Sequence, residues 1–282
     1  MQSFIARPGH PSAQRSRSNR LGIALLALAV LACGGNDSSS QSPALSSTFP
    51  SDVATGVPLN AKLSATFDMA MAPLGAATFT LKQGTTPVSG TIASSADGTA
   101  ATFAPSSNLA SSTLFTATIT TGAKSAAGAA FAAERSWTFT TGTTTDTAAP
   151  EVSATNPAAA GTGVAVNTKI TASFSKAMDP LSITPASFTV KQGSTPVPGS
   201  VAYGPGTTAT FTPASALAVN TVFTATLSAA VEDLSGNPLA SAFAWSFTTG
   251  ATAAKGPSPV GLGTAGNYAV LAKTAISTVP AS

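Results

Sequence analysis

Leu63, Ala65 and Phe67 alternate along the chain with Lys62, Ser64 and Thr66. Ile170, Ala172 and Phe174 repeat the alternation against Lys169, Thr171 and Ser173. Phe115, Ala117 and Ile119, and again Phe223, Ala225 and Leu227, are separated by threonines. A period of two puts one face of a segment on a core and the other in water, so each of these predicts a half-buried strand. Turn formers punctuate the pattern: Gly84-Thr85-Thr86-Pro87, Asp97-Gly98 and Pro105, then Gly193, Gly204-Pro205-Gly206 and Pro213. Short strands at that spacing read as an all-β sandwich. Neither half carries a stretch with the 3.6-residue period of an amphipathic helix.

The pattern is written twice. Trp137-Thr138-Phe139-Thr140-Thr141-Gly142 returns as Trp245-Ser246-Phe247-Thr248-Thr249-Gly250, an offset of 108. Phe79-Thr80-Leu81-Lys82-Gln83-Gly84 returns as Phe188-Thr189-Val190-Lys191-Gln192-Gly193 at 109. Solenoid and propeller repeats run roughly 20–50 residues, so this period predicts two tandem β-sandwiches of about 100 residues each. The divisions expected are a first domain over 43–142, a linker over 143–148, a second domain over 149–250 and a linker over 251–259. The first core is expected from Phe67, Phe79, Phe103, Phe115, Trp137 and Phe139. Met71 and Met178 are expected beneath a turn, and Glu134–Arg135 as a solvated pair.

The order of signals within each copy is more specific. A proline and a Gly-Val pair (Pro50, Gly56-Val57; Pro157, Gly163-Val164) precede a strand ending in phenylalanine and a Met-containing turn (Phe67 to Met71; Phe174 to Pro180). A Thr-Phe-x-Pro step (Thr102–Pro105; Thr210–Pro213) and the Trp-x-Phe-Thr-Thr-Gly strand follow. That order resembles the bacterial Ig-like domains of surface-layer proteins. The resemblance implies two tandem Ig-like β-sandwich domains used as a spacer or adhesin module, without chemistry of their own.

The N-terminal segment sets the compartment. Arg7, Arg15, Arg17 and Arg20 precede the apolar run 21–32, and Cys33 follows it. Twelve apolar residues fall short of the ~20 a spanning helix needs and fit a signal-peptide core over residues 1–32. Val30-Leu31-Ala32-Cys33 resembles the bacterial lipobox, which implies that Cys33 is a lipid anchor. The membrane is then the first partner, reached through the N-terminal lipid. Residues 33–42 read as a flexible Gly/Ser tether, and the resemblance to enteric lipoproteins implies, from Gly34 rather than Asp after the cysteine, the outer membrane and cell surface. The formal charge of +3 rests on the four signal arginines; without them nine basic residues face ten acidic ones. No basic patch of the kind that nucleic acid requires is present. His10 and Cys33 are the sole histidine and cysteine, so beyond the anchor there is no Ser–His or Cys–His pair and no histidine zinc site. No enzyme is expected.

Glu232, Asp233 and Asn237 in Glu232-Asp233-Leu234-Ser235-Gly236-Asn237-Pro238 are the one set from which calcium ligands would be drawn. Three side chains are few against the six to eight oxygens that Ca²⁺ takes, and Asp, Asn and Gly are ordinary turn residues. A plain turn is therefore expected first, and copy one departs in sequence here with Gly122 to Gly128. The remaining carboxylates are scattered along the sequence and predict no cluster. Gly261-Leu262-Gly263-Thr264-Ala265-Gly266 formally fits G-x-G-x-x-G, but no acid follows it as a dinucleotide site requires. Residues 260–280, with Asn267-Tyr268-Ala269-Val270-Leu271-Ala272-Lys273, resemble instead the opening of an ice-binding-like domain, a right-handed β-helix. Residues 260–282 are expected as a short unstructured tail, since a solenoid needs several stacked rungs. An ice or extracellular-surface partner would belong to a domain beyond residue 282.

Overall fold

The period-two segments are strands. In a computed structural model that describes residues 41–204, 206–254, 270–272 and 275–277, they assemble into two successive sandwiches. In the first, β1 (Leu45–Phe49), β3 (Leu63–Phe67), β7 (Ala100–Pro105) and β6 (Gly90–Ser94) form one sheet in the order β1-β3-β7-β6. The other is β2-β9-β8-β4-β5, from β2 (Ala54–Val57), β9 (Arg135–Thr141), β8 (Leu114–Ile119), β4 (Phe79–Gln83) and β5 (Thr86–Pro87). The second domain repeats this strand for strand. Its sheets are β10 (Val152–Asn156), β12 (Ile170–Phe174), β16 (Thr208–Pro213) and β15 (Gly199–Tyr203), and β11 (Gly161–Val164), β18 (Phe243–Thr249), β17 (Val222–Leu227), β13 (Phe188–Gln192) and β14 (Thr195–Pro196). All of these pairs are antiparallel except β2 with β9 and β11 with β18. Even the register shift in the first strand recurs, at Leu45/Ser47 and at Val152/Ala154.

Alternation fills the space between the sheets. Phe115, Ala117 and Ile119 point inward from β8, and all six aromatics expected in the first core are buried. Phe115 sits opposite Phe139 across β8 and β9 with the rings stacked at 5.6 Å; Phe223 and Phe247 repeat this at 5.8 Å. Such cross-strand pairs each contribute roughly 0.2–1 kcal/mol. Phe79 of one sheet meets Phe103 of the other at 5.8 Å, and Phe188 meets Phe211 at 6.0 Å. Glycine opens β6 and β15 because a Cβ on Gly90 or Gly199 would lie 2.5 Å from the ring of Phe103 or Phe211. Met71 and Met178 are buried in their respective cores.

Two details depart from the sequence reading. The polar face of the Ala61–Phe67 segment does not look into water. Ser64 and Thr102 are only 6% and 4% exposed, whereas Thr171 and Thr210 of the second copy are half-buried. The first domain's face is covered because the second domain lies against it. In the tail, β19 (Val270–Ala272) pairs antiparallel with β20 (Ala275–Ser277) as a separate two-stranded ladder. Among the described residues no helix is long and apolar enough to cross a membrane.

Candidate functional site at the domain junction

The covered face leads to a cluster of charge. Lys62 stands one residue before β3, where its backbone N–H has no place in the ladder. That N–H donates to Leu234 O of the second domain at 2.6 Å. Its ammonium donates to Asp179 Oδ2 at 2.8 Å and Glu232 Oε1 at 2.6 Å. Two residues earlier, Asn60 Nδ2 donates to Asp146 O in the linker (2.9 Å) and Ser235 O in the second domain (3.0 Å). Asn60 Oδ1 accepts from Asp146 N at 2.9 Å. Lys176, in the turn after β12, donates to Asp146 Oδ2 at 2.7 Å and Ala148 O at 2.7 Å, and pairs with Asp233 at 3.1 Å. First domain, linker and second domain are thus held by one continuous polar network.

Burial makes that network consequential. The side chains of Asp179 and Asp233 are 5% and 1% exposed, and a buried charge is tolerated only when paired. Local amides supply the rest of their partners: Leu181 N–H donates to Asp179, and Ser235 and Asn237 N–H donate to Asp233. Burial pulls the Lys62 pKa down, but Asp179 and Glu232 outweigh it and hold the group above its ordinary value. Burial likewise pulls Lys176 down, and Asp146 and Asp233 raise it. Burial pushes the Asp146 carboxyl up, but the Lys176 ammonium and the Ala148 N–H leave it below its ordinary value.

Glu232, Asp233 and Asn237 all fall in this junction. Asp233 Oδ1 accepts from Ser235 and Asn237 N–H, while Oδ2 accepts from Asn237 Nδ2 (3.0 Å) and pairs with Lys176. Glu232 is turned to Lys62. The three residues therefore serve as a turn and as acceptors for two ammonium groups, an environment that opposes a divalent cation. No group of three metal-ligating side chains occurs among the described residues. Cys33 lies outside the described residues.

The expectation of scattered carboxylates needs correcting. Asp146, Asp179, Glu232 and Asp233 converge around Lys62 and Lys176, because the β12–β13 and β17–β18 connections lie at the end of the second domain that meets the first. A signal was present where the copies differ. The equivalents of Lys176, Asp179, Glu232, Asp233 and Leu234 in copy one are Met69, Ala72, Lys124, Ser125 and Ala126. The turn itself is shared despite the change in sequence. Ser125 N donates to Ala129 O at 2.7 Å, as Asp233 N does to Asn237 O at 2.9 Å, and Gly128 and Gly236 both have positive φ.

Tyr203 completes the contact, where copy one has Ser94. Its phenol accepts from Met178 N at 2.8 Å and donates to Gly206 O at 3.0 Å, and burial raises its pKa. It lines both clefts between the domains. One, of about 420 Å³, lies beside Ser64, Thr66 and Met178; the other, of about 300 Å³, lies beside Ser94, Asp97 and Leu181.

A sequence profile of the bacterial Ig-like domain matches residues 39–141 and 146–249. No curated protein sequence matches the chain. Among solved structures, the methionine-rich copper resistance protein PcoC from Escherichia coli is similar at 19% identity, over 36% of this chain and 99% of its own, with a TM-score of 0.31. The S-layer protein SbsC is similar at 13% identity over 74% of this chain, with a TM-score of 0.32; this chain spans 26% of its length. Alpha-2-macroglobulin from Escherichia coli is similar at 17% identity over 75% of this chain and 73% of its own, with a TM-score of 0.29.

Proposed function

The chain belongs to the bacterial Ig-like domain family, and from that premise we propose a non-catalytic cell-surface lipoprotein whose two domains act as one stalk. The observation that carries the reading is the junction. Its six charged side chains pair with one another and join the two domains and the linker between them. Two sandwiches tied through a network of this kind transmit position from one end to the other, which is what a spacer must do.

Anchoring follows from Cys33 behind the apolar run 21–32. A single acyl chain holds a protein to a membrane only marginally, whereas several anchor it stably. Replacing Cys33 by serine should move the protein from the membrane fraction to the soluble fraction and abolish labelling with radioactive palmitate. Retention of Cys33→Ser in the membrane would overturn the anchor. A second reading, an adhesin whose target is ice or another extracellular surface, rests on the likeness of residues 260–280 to an ice-binding-like opening. It places the binding face in a further domain, so residues 34–282 should not inhibit ice recrystallisation; inhibition would contradict that placement.

A further inference from the structure

Beside the charged junction lies a cleft with no charge in it. Its volume is about 420 Å³, within the roughly 300–1,000 Å³ of small-molecule sites, which form preferentially between domains. Every described side chain that lines it is uncharged. The first domain builds one wall from β1, β3 and the β1–β2 connection, and the second closes it with Met178, Thr207 and Leu234. Ser64 stands on the outward face of β3 and is only 6% exposed. Its Oγ reaches the cleft and has no hydrogen-bond partner among the described residues. Ser47 and Thr66 beside it are bonded to each other at 2.6 Å, so they do not supply that partner. Side-chain hydroxyls at such depth ordinarily have one. Thr207, half-buried on the opposite wall, likewise has a hydroxyl that no described residue engages.

We infer that this cleft binds an uncharged saccharide between the two domains. An ionised ligand would give up its hydration for walls that offer no counter-charge, which is costly. A pyranose ring suits both kinds of wall. Its C–H face matches the apolar surface of Phe49, Met178 and Leu234, and its rim hydroxyls match Ser64 and Thr207. A peptide strand suits them less. β1 and β2 are sheet edges, and edges attract strands. Both are broken here, β1 by its register shift and by Pro50 after Phe49, β2 by a shift between Ala54 and Val57 and by Pro58. Bulges and prolines of this kind blunt an edge against strand addition. The site forms once, because Thr171 and Ser173, the counterparts of Ser64 and Thr66 at an offset of 107, have no second sandwich over them among the described residues. The inference goes beyond the stalk: it needs the junction, and it is independent of the lipid anchor.

Amide chemical shifts of the full chain, titrated with maltose, cellobiose and N,N′-diacetylchitobiose, test it. At least one of these neutral sugars should give saturable shifts at both Ser64 and Thr207, and glucuronate and glucosamine should bind more weakly than it does. Ser64→Ala and Thr207→Val each remove one hydroxyl, from opposite walls, and each should weaken binding roughly threefold to tenfold, the worth of one neutral hydrogen bond. Lys169→Ala, at the counterpart of Lys62 and away from the cleft, should leave binding unchanged. No saturable shift with any neutral sugar would overturn the proposal, and so would equal binding of glucuronate or glucosamine. Tighter binding of an acetylated, amidated tetrapeptide of alternating threonine and valine would overturn it in favour of strand addition. The same spectra show whether the junction residues keep their native shifts, so a cleft that stays empty beside an intact junction would count against the site and not against the stalk.

Discussion

Copies one and two have the same strands, the same register irregularity and the same stacked phenylalanines, yet they differ at the end that faces a preceding neighbour. There copy two carries the carboxylates Asp179, Glu232 and Asp233, and copy one has Ala72, Lys124 and Ser125 in their places. Interior positions answer to the shared demand of filling a sandwich, so duplication preserved them. The junction positions answer to place in the array, and only the copy with a neighbour upstream carries the acceptor. A second contrast is interior. Trp245 Nε1 donates to Pro157 O at 3.1 Å, while the buried Trp137 Nε1 has no partner among the described residues.

The largest effects should be equal in the two domains. Phe79→Ala and Phe188→Ala remove fully buried rings at equivalent positions, and each should cost about 3–5 kcal/mol in denaturant unfolding. Unequal losses would show that the cores are less alike than their geometry. Lysine truncation should then separate the copies. Lys62→Ala strands the buried Asp179 carboxylate and should cost about 1–3 kcal/mol, between the ranges for surface and buried pairs. Lys169→Ala should cost less than about 0.5 kcal/mol, as ordinary surface substitutions do. Equal costs would remove the junction's special standing. Trp245→Phe should cost about 1 kcal/mol more than Trp137→Phe, the difference of one buried hydrogen bond, read as separate shifts in chemical unfolding.

Acid gives the gentlest probe. The Asp146 carboxyl is held below its ordinary value of 3.8. Its contribution is therefore present above that pH and is lost as pH falls through the lowered value. Lys62 and Lys176 are held above 10.5, so theirs is present below that pH and is lost as pH rises through the raised values. Coupling between the domains should be flat at neutral pH and fade at both extremes, and Asp146→Asn should remove part of the acid-side change.

Periodicity made the strands and the six aromatics of the first core legible, because a half-buried strand writes its environment in every second residue. The junction was not legible in that way. Its members come from 60–62, 146, 176–179 and 232–237, and each segment alone is an ordinary turn. Asp233-Leu234-Ser235-Gly236 reads as a turn and is one; that Leu234 is buried between the domains, outside both core clusters, follows only from packing. Ser64 and Thr102 misled for the same reason, since alternation shows which face is polar and not what covers it. Carboxylate present in one copy and absent from the other was the one trace left in the sequence.

Residual dipolar couplings of the backbone amides in both domains test most directly whether the junction makes them one body. The native chain should fit a single alignment tensor. With Lys62→Ala and Lys176→Ala together, the two domains should require tensors of different magnitude while each keeps its own fold. Two unequal tensors in the native chain at neutral pH would contradict the stalk built on this junction.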